Sequence, residues 1–461
     1  MRTRISWAGL FVILCMSWTV TAQETPSWAK ETKEQKEKRM AWWTHDRFGM
    51  FIHWGLYAVP ARHEWVQNRE RISPADYRKY FDHFDPDLYN PKEWAAKAKA
   101  AGMKYVVLTS KHHEGFCMWD TKYTDYKVTN TPYGKDILKS FVEAFRAEGI
   151  RIGFYYSLID WHHPDFTFDR SHPPVPVDPQ ERKAANENRD ITKYRQYMKN
   201  QITELLTQFG PIDEIWLDFS YPGENGKGHK DWDSEGLLKL IRSIQPNILV
   251  DNRLDLNDTD WGWDFVTPEQ FMPQEWPTVR GQRVPWETCQ TFSGSWGYYR
   301  DEYTWKSVPQ LIVMLIETVS KGGNLLLNVG PTARGVFDDR ANERLEGIAQ
   351  WMKFHNRAIY GCTQAPPEFA IPKNCLLTYN PVTNRLYVHV LDWPFSSLYL
   401  PGYAGKIKYA QLLNDGSEIR FRTNTQSSGN TTETSGANDV ILTLPVQRPN
   451  VQVPVIELFL N

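Results

Sequence analysis

One acidic residue stands where a short apolar run of the sequence ends. Asp218 closes the run 214–218, which contains Ile, Trp and Leu, and Phe219 follows it. In a barrel of parallel strands, the catalytic residues lie at the carboxyl ends of the strands. The position of Asp218 therefore predicts a carboxylate that points into the mouth of an active site.

Three other segments repeat this arrangement of an apolar run that turns polar and aromatic. They are residues 48–55, which contain His53; residues 105–114, which contain His112 and His113; and residues 151–157. Because four segments share this pattern, the position of Asp218 is poorly explained by chance. The repetition predicts several strands whose ends supply one site.

The composition limits the kinds of partner. The chain has 461 residues and a formal net charge of −2, from 53 basic and 55 acidic residues. That balance predicts no broad cationic surface for nucleic acid or anionic lipid, so we expect a neutral small molecule or a glycan. The 20 Trp, 22 Tyr and 22 Phe suit a site that stacks rings on sugars, although an aromatic core explains them equally well.

The first 22 residues have the pattern of an export signal. Arg2 and Arg4 precede an apolar stretch that ends near residue 20, and Ala22 precedes a charged segment. This pattern predicts a signal peptide over residues 1–22 and a periplasmic or secreted product. A lipoprotein is less favoured because Leu14 is bulky for the position before Cys15. No other segment is apolar enough to predict a membrane span.

Four cysteines follow the predicted signal: Cys117, Cys289, Cys362 and Cys375. They are too few for a disulfide-built scaffold, and their spacing is not that of a zinc finger. Cys362 and Cys375 could form one bridge. Buried free thiols are the alternative.

Apolar runs recur along the first three quarters of the chain, with amphipathic helical patterns between several of them. The runs lie at 48–54, 104–110, 151–157, 214–219, 247–252, 263–267 and 323–329. Helices are predicted at 91–101, 137–148, 191–209 and 338–358. This alternation predicts an α/β fold, an irregular (β/α)8 TIM-like barrel over residues 23–358. Helical patterns are poor between the sixth and eighth strands, so we expect some helices to be missing.

The pattern changes after residue 358 to short alternating runs, at 376–379, 386–390, 440–444 and 453–458. Such runs predict a small C-terminal antiparallel β-sandwich over residues 359–461. Segments 157–190 and 424–439 lack periodicity and are predicted to be loops.

Motifs in order from residue 47 to residue 331 resemble those of the retaining α-L-fucosidases of glycoside hydrolase family 29. They lie at 47–55, 64–65, 111–116, 155–157, 216–218, 251–253, 286–289 and 321–331. The resemblance implies an exo-acting enzyme that removes terminal α-L-fucosyl residues by double displacement. It implies a fucosylated oligosaccharide or glycoconjugate as substrate, and no cofactor or metal.

The resemblance places the nucleophile on Asp218. Double displacement also needs a second carboxyl group about 5 Å away, which acts first as an acid and then as a base. Glu269, Glu275 and Glu287 compete for that role. Glu269 is preferred because its context resembles the strand end that supplies the acid/base in well-matched relatives. Glu287 is the second choice, although it could instead orient Arg253 or belong to the barrel floor.

The resemblance also implies a sugar pocket. His53, His112 and His113 match residues that contact sugar hydroxyls, because imidazole can both donate and accept hydrogen bonds. The other predicted pocket residues are Glu64, Trp65, Tyr156, Trp216, Arg253 and Trp296. The loop residues Trp161, His162 and His163 could touch the leaving group, or could simply be solvated.

Two other functions would use some of the same residues. A barrel-type metal-dependent hydrolase would take His53, His112, His113 and Asp218 as ligands, but the His-X-His motif expected at its first strand is missing because Trp54 follows His53. A catalytically silent fucose-binding protein would keep the pocket without turnover. The sequence leaves the preferred linkage and the oligomeric state open.

Overall fold

The computed structural model describes residues 25–173, 178–423, 436 and 438–461. The predicted signal peptide and most of the predicted loop at 424–439 lie outside the described residues. Within the described part of the chain, no helix is long and apolar enough to cross a membrane.

Parallel strands form the sheet of the first domain. The strands up to residue 329 are β1 (Phe48–Ile52), β2 (Tyr105–Lys111), β3 (Arg151–Ser157), β4 (Glu214–Asp218), β5 (Leu249–Val250), β6 (Thr278–Val279), β7 (Gln282–Arg283), β8 (Glu287–Thr291) and β9 (Asn324–Val329). Seven of them pair in the order β5-β4-β3-β2-β1-β9-β8, and all of these pairs are parallel. The strands β6 and β7 form a separate antiparallel hairpin.

An irregular segment, residues 264–269, lies between the two ends of this sheet. Parallel bridges join it to both sides: Asp251 to Phe265, Val266 to Trp286, and Glu269 to Cys289. The segment therefore takes the position of the missing strand between β5 and β8. The predicted irregular (β/α)8 barrel is confirmed.

Helices surround the barrel. They are α1 (Lys33–Asp46), α2 (Val66–Arg69), α3 (Pro74–Asp82), α4 (Pro91–Ala100), α5 (Ile137–Ala147), α6 (Pro179–Asn186), α7 (Ile191–Gln208), α8 (His229–Trp232), α9 (Ser234–Ile244), α10 (Val308–Ser320) and α11 (Asp339–His355). Side-chain caps start the predicted helices: Asn90, Asp136, Asp190 and Asp338 each accept a hydrogen bond from a backbone N–H in the first turn of α4, α5, α7 and α11. The helices predicted at 91–101, 137–148, 191–209 and 338–358 are therefore confirmed, with small differences at their ends.

Two elements near the end of the barrel differ from the prediction. No helix lies within residues 251–286, all of which the structure describes, but α10 fills the gap between β8 and β9, where a helix was not expected. Helix α10 packs against both β9 and the C-terminal domain, and most of its residues are apolar, so its sequence resembles an apolar run more than a surface helix. Strand β8 was missed because its sequence is polar, although all five of its residues are buried.

Antiparallel strands form the C-terminal domain. They are β10 (Thr363–Gln364), β11 (Cys375–Asn380), β12 (Arg385–Val390), β13 (Ser397–Leu400), β14 (Ile407–Leu412), β15 (Phe421–Thr423), β16 (Val440–Thr443) and β17 (Val455–Leu460). One sheet has the order β10-β11-β12-β17-β14 and the other has the order β13-β16-β15. Buried apolar residues from both sheets, such as Val388, Leu400 and Leu442, form one core. The predicted β-sandwich is confirmed.

Buried hydrogen bonds join the sandwich to the barrel. Arg47, which ends α1, donates from Nε to the carbonyl of Cys362 at 2.8 Å and from Nη1 to the carbonyl of Gly322 at 2.8 Å. Trp351 of α11 donates from Nε1 to the carbonyl of Val453 at 3.1 Å. The two domains therefore share a buried polar seam.

The suggested bridge between Cys362 and Cys375 is not formed. The four cysteines that follow the predicted signal are buried free thiols. The thiol of Cys362 lies 3.4 Å from the carbonyl of Arg357, and that of Cys375 lies 3.4 Å from the carbonyl of Lys373, so each faces its own local backbone.

A glycine in β1 gives a test of the packing inside the barrel. A methyl group on Gly49 would overlap the ring of Tyr105, whose hydroxyl is held by Glu287. We expect Gly49→Ala to lower the free energy of unfolding by about 1–3 kcal/mol, because overpacking forces buried groups to shift. Chemical denaturation would measure the change. Gly436→Ala is the matched control, because its methyl would meet its nearest atom at an ordinary 3.4 Å. Equal stability of the two variants would contradict this packing.

Candidate active site

The side chain of Asp218 lies at the carboxyl end of β4, on the inner face of the barrel. Side chains alternate along a strand, so Glu214, Trp216 and Asp218 form one inward column with Asp218 at the mouth. The hydroxyl of Tyr155 donates to Asp218 Oδ2 at 2.6 Å. The carboxylate is 13% exposed, which leaves it open to a ligand.

A single guanidinium contacts both candidate catalytic acids. Arg253 Nη1 lies 3.3 Å from Asp218 Oδ1, and Arg253 Nη2 lies 2.9 Å from Glu269 Oε2. Arg253 is held by Thr267, which accepts from Nε at 2.7 Å, and by the ring of Trp216, 4.9 Å below its Cζ. The structure therefore brings Asp218 and Glu269 to the same mouth, within the span of one side chain.

The charge of Asp218 is set by opposing effects. Burial raises the pKa of its carboxyl, the Arg253 cation lowers it, and the negative charge of Glu269 raises it again. The hydrogen bonds from Tyr155 and from the backbone N–H of Phe219 also favour the ionised form. Burial is the largest of these effects, so the net result raises the pKa of Asp218 to about 6, and the carboxyl is mostly ionised at pH 7.

The two competing glutamates lie elsewhere. Glu287 starts β8, at the amino end of the barrel, where it accepts from Tyr105 at 2.5 Å and from Trp216 Nε1 at 3.3 Å. Trp216 separates it from Asp218, so Glu287 belongs to the barrel floor. Glu275 is exposed, and its neighbour Trp276 packs on Gly322, which precedes β9 at that same amino end. Neither glutamate reaches the mouth.

Three histidines form a buried cluster beside Asp218. The ring centres of His53 and His112 are 5.7 Å apart, and those of His112 and His113 are 4.0 Å apart. His113 Nε2 lies 3.9 Å from Asp218 Oδ2. Burial lowers the pKa of all three imidazoles, that of His112 to about 3, so the cluster is neutral at pH 7. The predicted histidine contacts are placed together.

A second wall of the pocket is built on Glu64. Its carboxyl accepts from the backbone N–H groups of Trp296 at 3.1 Å and Gly297 at 3.0 Å. The ring of Trp296 lies 5.0 Å from His53, and the ring of Trp65 lies 5.0 Å from His113. Glu64 therefore fixes the aromatic residue that faces the histidine cluster.

The prediction for Tyr156 is wrong. Its hydroxyl donates to Gln201 of α7 at 2.8 Å, so the side chain faces the helix layer. Tyr155 occupies the pocket instead, because the register of β3 and β4 pairs Ser157 with Asp218 and Tyr155 with Trp216. The sequence indicates that only one of Tyr155 and Tyr156 can face the pocket, because neighbouring residues of a strand face opposite sides. The register of β3 against β4 was needed to decide which one does.

Only one of the three loop residues that could touch the leaving group, Trp161, His162 and His163, reaches the site. The ring of Trp161 lies 5.2 Å from Trp65 and 5.4 Å from His113. His162 stacks on Tyr126 with ring centres 3.9 Å apart, and the ring of His163 is tilted against that of Tyr197 at 4.3 Å, so both turn toward other parts of the fold.

Sequence reasoning did not assign Phe219 to the pocket. Its ring lies 4.9 Å from His113 and 5.2 Å from Trp65. Its φ of 84° is strained for an aromatic residue and places the ring beside the nucleophile candidate. Its position directly after Asp218 was the available signal.

A cavity of about 620 Å³ opens above these residues, lined by Glu64, Trp65, Glu269 and Trp296 among others. A larger cavity, about 1640 Å³, is lined by Trp28, Arg151 and Asp213. Arg151 and Asp213 lie at the amino ends of β3 and β4, so the larger cavity is at the end of the barrel away from Asp218. The smaller cavity is the one that a substrate of Asp218 would enter.

The geometry offers no ligand set for a metal-dependent hydrolase. Across the residues that the structure describes, no group of three or more His, Cys, Asp or Glu side chains is arranged to hold a metal ion. The histidines and Asp218 surround a pocket, and the hydrogen-bond partners of His53 and His113, which are Asn328 and Ser157, lie behind the rings.

The raised pKa of the buried Glu64 carboxyl should make the stability of the protein depend on pH. Burial raises its pKa from 4.5 to about 7, against the lowering effect of its hydrogen bonds. The folded state thus binds this proton more tightly than the unfolded state, so the contribution of Glu64 to stability is greatest below pH 4.5 and is lost as the pH rises through about 7. The loss amounts to about 3 kcal/mol. We expect Glu64→Gln to remove this component, seen as the difference between denaturation curves of the two proteins from pH 4 to pH 8. A difference that does not vary with pH would contradict the assignment.

Comparison with known proteins agrees with this geometry. The family model described as "Alpha-L-fucosidase" matches residues 14–357. The solved structure of α-L-fucosidase isoenzyme 1 from Paenibacillus thiaminolyticus superposes with a TM-score of 0.85 at 44% identity, over 92% of this chain and 99% of that one. Human plasma α-L-fucosidase is 29% identical over 413 residues, which are 83% of each chain.

One solved structure also bears on mechanism. It is a family 29 α-L-fucosidase from Bacteroides thetaiotaomicron, a glutamate-to-glutamine mutant in which 2-fluoro-fucosyl fluoride left a trapped covalent intermediate. It is 27% identical, with a TM-score of 0.77, over 94% of this chain and 97% of that one. The barrel, the position of its acidic residues and these similarities lead to one conclusion: the chain belongs to the α-L-fucosidase family, glycoside hydrolase family 29.

Proposed function

We propose that Asp218 and Glu269 are the catalytic pair with which this α-L-fucosidase hydrolyses terminal α-L-fucosyl residues and retains their configuration. The observation that carries the proposal is the contact of one Arg253 guanidinium with both carboxylates. Retaining hydrolysis needs two carboxyl groups on opposite sides of one bond, closer together than inversion allows. A guanidinium shared by both carboxyl groups holds them at one mouth, which supports this arrangement.

Asp218 attacks in the first step. Its carboxylate forms a bond to the anomeric carbon of the fucosyl unit as the glycosidic bond breaks, and Glu269 gives its proton to the departing oxygen. The product of this step is a fucosyl ester of Asp218. Tyr155 and Arg253 hold the attacking carboxylate in place through the hydrogen bonds described above.

Glu269 acts as a base in the second step. It accepts a proton from water, the water oxygen bonds to the anomeric carbon, and the ester bond to Asp218 breaks. Arg253 Nη2, 2.9 Å from Glu269 Oε2, orients this carboxyl group. The side chain of Glu269 is 41% exposed on the cavity side, where a leaving group departs and water enters. The trapped intermediate of the Bacteroides enzyme supports the same two-step course.

The histidine cluster supports recognition of a single terminal sugar. His53, His112 and His113 are buried, and Glu64 holds Trp296 across the pocket from them. A closed pocket of neutral donors and acceptors with one aromatic wall suits a fucosyl unit with its apolar methyl face. The leaving glycan would lie in the cavity beside Glu269.

We also propose that the protein is exported to the periplasm or the medium. The proposal rests on Arg2 and Arg4, the apolar stretch after them, and the small residue Ala22 before a charged segment. Sequencing the amino terminus of protein recovered from the native host would test it. A mature chain that starts near residue 23 would support export.

Azide rescue tests the catalytic pair. We expect Asp218→Ala to lose nearly all hydrolysis of an aryl α-L-fucoside and, with azide, to release β-fucosyl azide. Glu269→Ala should lose about 10²–10⁴-fold on glycosides with poor leaving groups and yield α-fucosyl azide. Product anomers would be identified by NMR.

Two glutamates serve as controls in that experiment. Glu275→Ala should retain wild-type activity, because Glu275 lies at the other end of the barrel. Glu287→Gln should give no azide product. If α-fucosyl azide came from the Glu287 variant and not from the Glu269 variant, the acid/base would have to be reassigned.

Neighbouring tyrosines of β3 form a matched pair. Tyr155→Phe removes a hydrogen bond to the Asp218 carboxylate, which is worth about 1.5–3 kcal/mol, so kcat/KM should fall by about 10–100-fold. Tyr156→Phe removes the bond to Gln201, so it should lower the melting temperature and leave kcat/KM close to wild type. Steady-state kinetics and thermal unfolding would be measured on both. The opposite pattern would restore the original assignment of Tyr156 to the pocket.

A further inference from the structure

Two basic side chains line the cavity that opens beside Glu269. Arg69 ends α2 and is exposed, and Lys306 lies just before α10 and is half-buried. The two steps of fucosyl transfer described above use neither of them. A cation on the wall of a substrate cavity is able to bind a negative group of the substrate, so the surroundings of each cation decide whether it is available for that role.

The charge of Arg69 is not matched by an acid of the protein. Among the residues that the structure describes, its guanidinium has no hydrogen-bond acceptor and no ion-pair partner. By contrast, Arg62 on the same loop donates from Nε to Glu70 Oε1 at 2.6 Å. Burial raises the pKa of Glu64 and the nearby Arg69 charge opposes the rise, but this carboxyl already accepts from the N–H of Trp296. Arg69 therefore has donors free for a ligand.

The ammonium of Lys306 is positioned by the end of β8. It donates to the carbonyl of Thr291 at 2.7 Å and lies 3.5 Å from the Thr291 hydroxyl, which is 3.1 Å from Nε2 of Gln270. Because Gln270 follows Glu269, the Lys306 cation lies on the leaving-group side of the mouth. Burial lowers the pKa of Lys306, and the charge of Glu302 opposes that effect. An ammonium group carries three protons, so donors remain for a ligand.

The acids near the two cations are engaged elsewhere. The carboxyl of Glu302 accepts from the N–H and the hydroxyl of Thr304, each at 2.6 Å. The carboxyl of Glu269 is held by Arg253. His63, on the same wall, is neutral at pH 7 because burial lowers its pKa to about 3. Within the described residues, the outer part of the cavity thus carries two positive charges that no acid pairs.

The two loops that carry these cations are fixed to each other. The N–H of Arg300 donates to the carbonyl of Ala61 at 3.1 Å. Glu64 on the first loop accepts from the N–H of Trp296 on the second at 3.1 Å. The backbone under both cations is therefore preformed, which reduces the ordering that binding of a ligand requires.

We propose that Arg69 and Lys306 form an aglycone subsite for a negative group, a carboxylate or a sulfate ester, on the sugar to which the fucosyl unit is attached. The inference rests on the proposed function, because it takes the leaving glycan to lie beside Glu269. The acids Asp218 and Glu269 repel an anionic glycan, and two unpaired cations at the entrance offset that repulsion. A neutral glycan gains nothing from them. The subsite therefore adds a substrate class, acidic fucosylated glycans, to the activity.

Aryl α-L-fucosides that differ in the charge of the aryl group test the proposal without depending on one linkage. The aryl ring carries a carboxylate, a sulfate ester or a neutral carboxamide at the same position, and kcat/KM is measured for each. For Arg69→Gln and for Lys306→Gln, we expect the ratio of the anionic to the neutral value to fall by about three- to tenfold relative to wild type. The anion with the larger fall identifies the group that the subsite binds. Leaving-group ability, and any effect of Arg69 on Glu64, act in both members of each comparison and cancel.

Arg78→Gln is the matched control. Arg78 is an exposed arginine of α3 that pairs with Asp82 and does not line the cavity, so its ratio should equal that of wild type. Salt gives a second readout, because added ions screen exposed charges. An increase in NaCl from about 0.02 M to about 0.5 M should lower the ratio in wild type but not in the double variant Arg69→Gln/Lys306→Gln. A purely structural effect of the substitutions would not depend on the charge of the aryl group.

The outcomes separate this inference from the proposed function. If the wild type cleaves the neutral aryl fucoside but both variants keep the wild-type ratio, or if the wild-type ratio does not respond to salt, the subsite is rejected and the fucosidase activity stands. If the wild type cleaves none of the aryl fucosides, the proposed function fails and the subsite fails with it.

Discussion

The positive charge of Arg253 is the interaction on which the catalytic end of the barrel depends. Two carboxylates at one mouth repel each other, and burial adds a cost for Asp218. A guanidinium offsets both effects, because its planar fork can donate to two acceptors at once. Arg253 is itself supported from below by the face of Trp216. The position of both acids is therefore tied to one cation and one aromatic ring.

That support continues down to the floor of the barrel. The indole of Trp216 is anchored on Glu287, which also holds Tyr105. Glu214 lies beside Glu287, and burial together with that neighbouring charge raises its pKa well above the ordinary value. Buried acids cost stability unless they are protonated or hydrogen-bonded. The buried acids Glu214 and Glu287 therefore carry a cost in stability, and Glu287 in return fixes the Trp216 ring that supports Arg253.

Much of the site could be predicted from sequence, because strand ends are readable as apolar runs followed by polar residues. Asp218, His53 and the pair at 112–113 were placed together for that reason. The choice between Tyr155 and Tyr156 required the register of β3 against β4, which no property of either residue reveals. Hydrogen-bond partners that are distant in sequence, such as Asn328 for His53, likewise appear only after folding.

The sequence pattern did not predict β8 or α10, because inside a barrel a residue's polarity does not always indicate whether it is buried. Strand β8 is polar in sequence and wholly buried, since its side chains hydrogen-bond to partners such as Tyr105, Trp216 and the carbonyl of Phe271. Most residues of helix α10 are apolar, and the helix packs against both β9 and the C-terminal domain. Glu269 is preferred as the acid/base from its sequence context, although it lies on an irregular segment joined by single bridges and not on a regular strand. Hydrophobic periodicity identifies elements that have one buried and one solvent-facing side, and β8 has no solvent-facing side.

The seam at Arg47 has a consequence for how the chain can be shortened. The guanidinium is buried, and the carbonyl of Cys362 is one of its few acceptors. A chain cut after residue 358 would keep the cation and lose that acceptor, and it would uncover the apolar face of α10 that packs on β10 and β11. The β-sandwich is therefore part of the catalytic domain's own fold. Its removal would yield an insoluble barrel, and the two domains would melt in one cooperative transition.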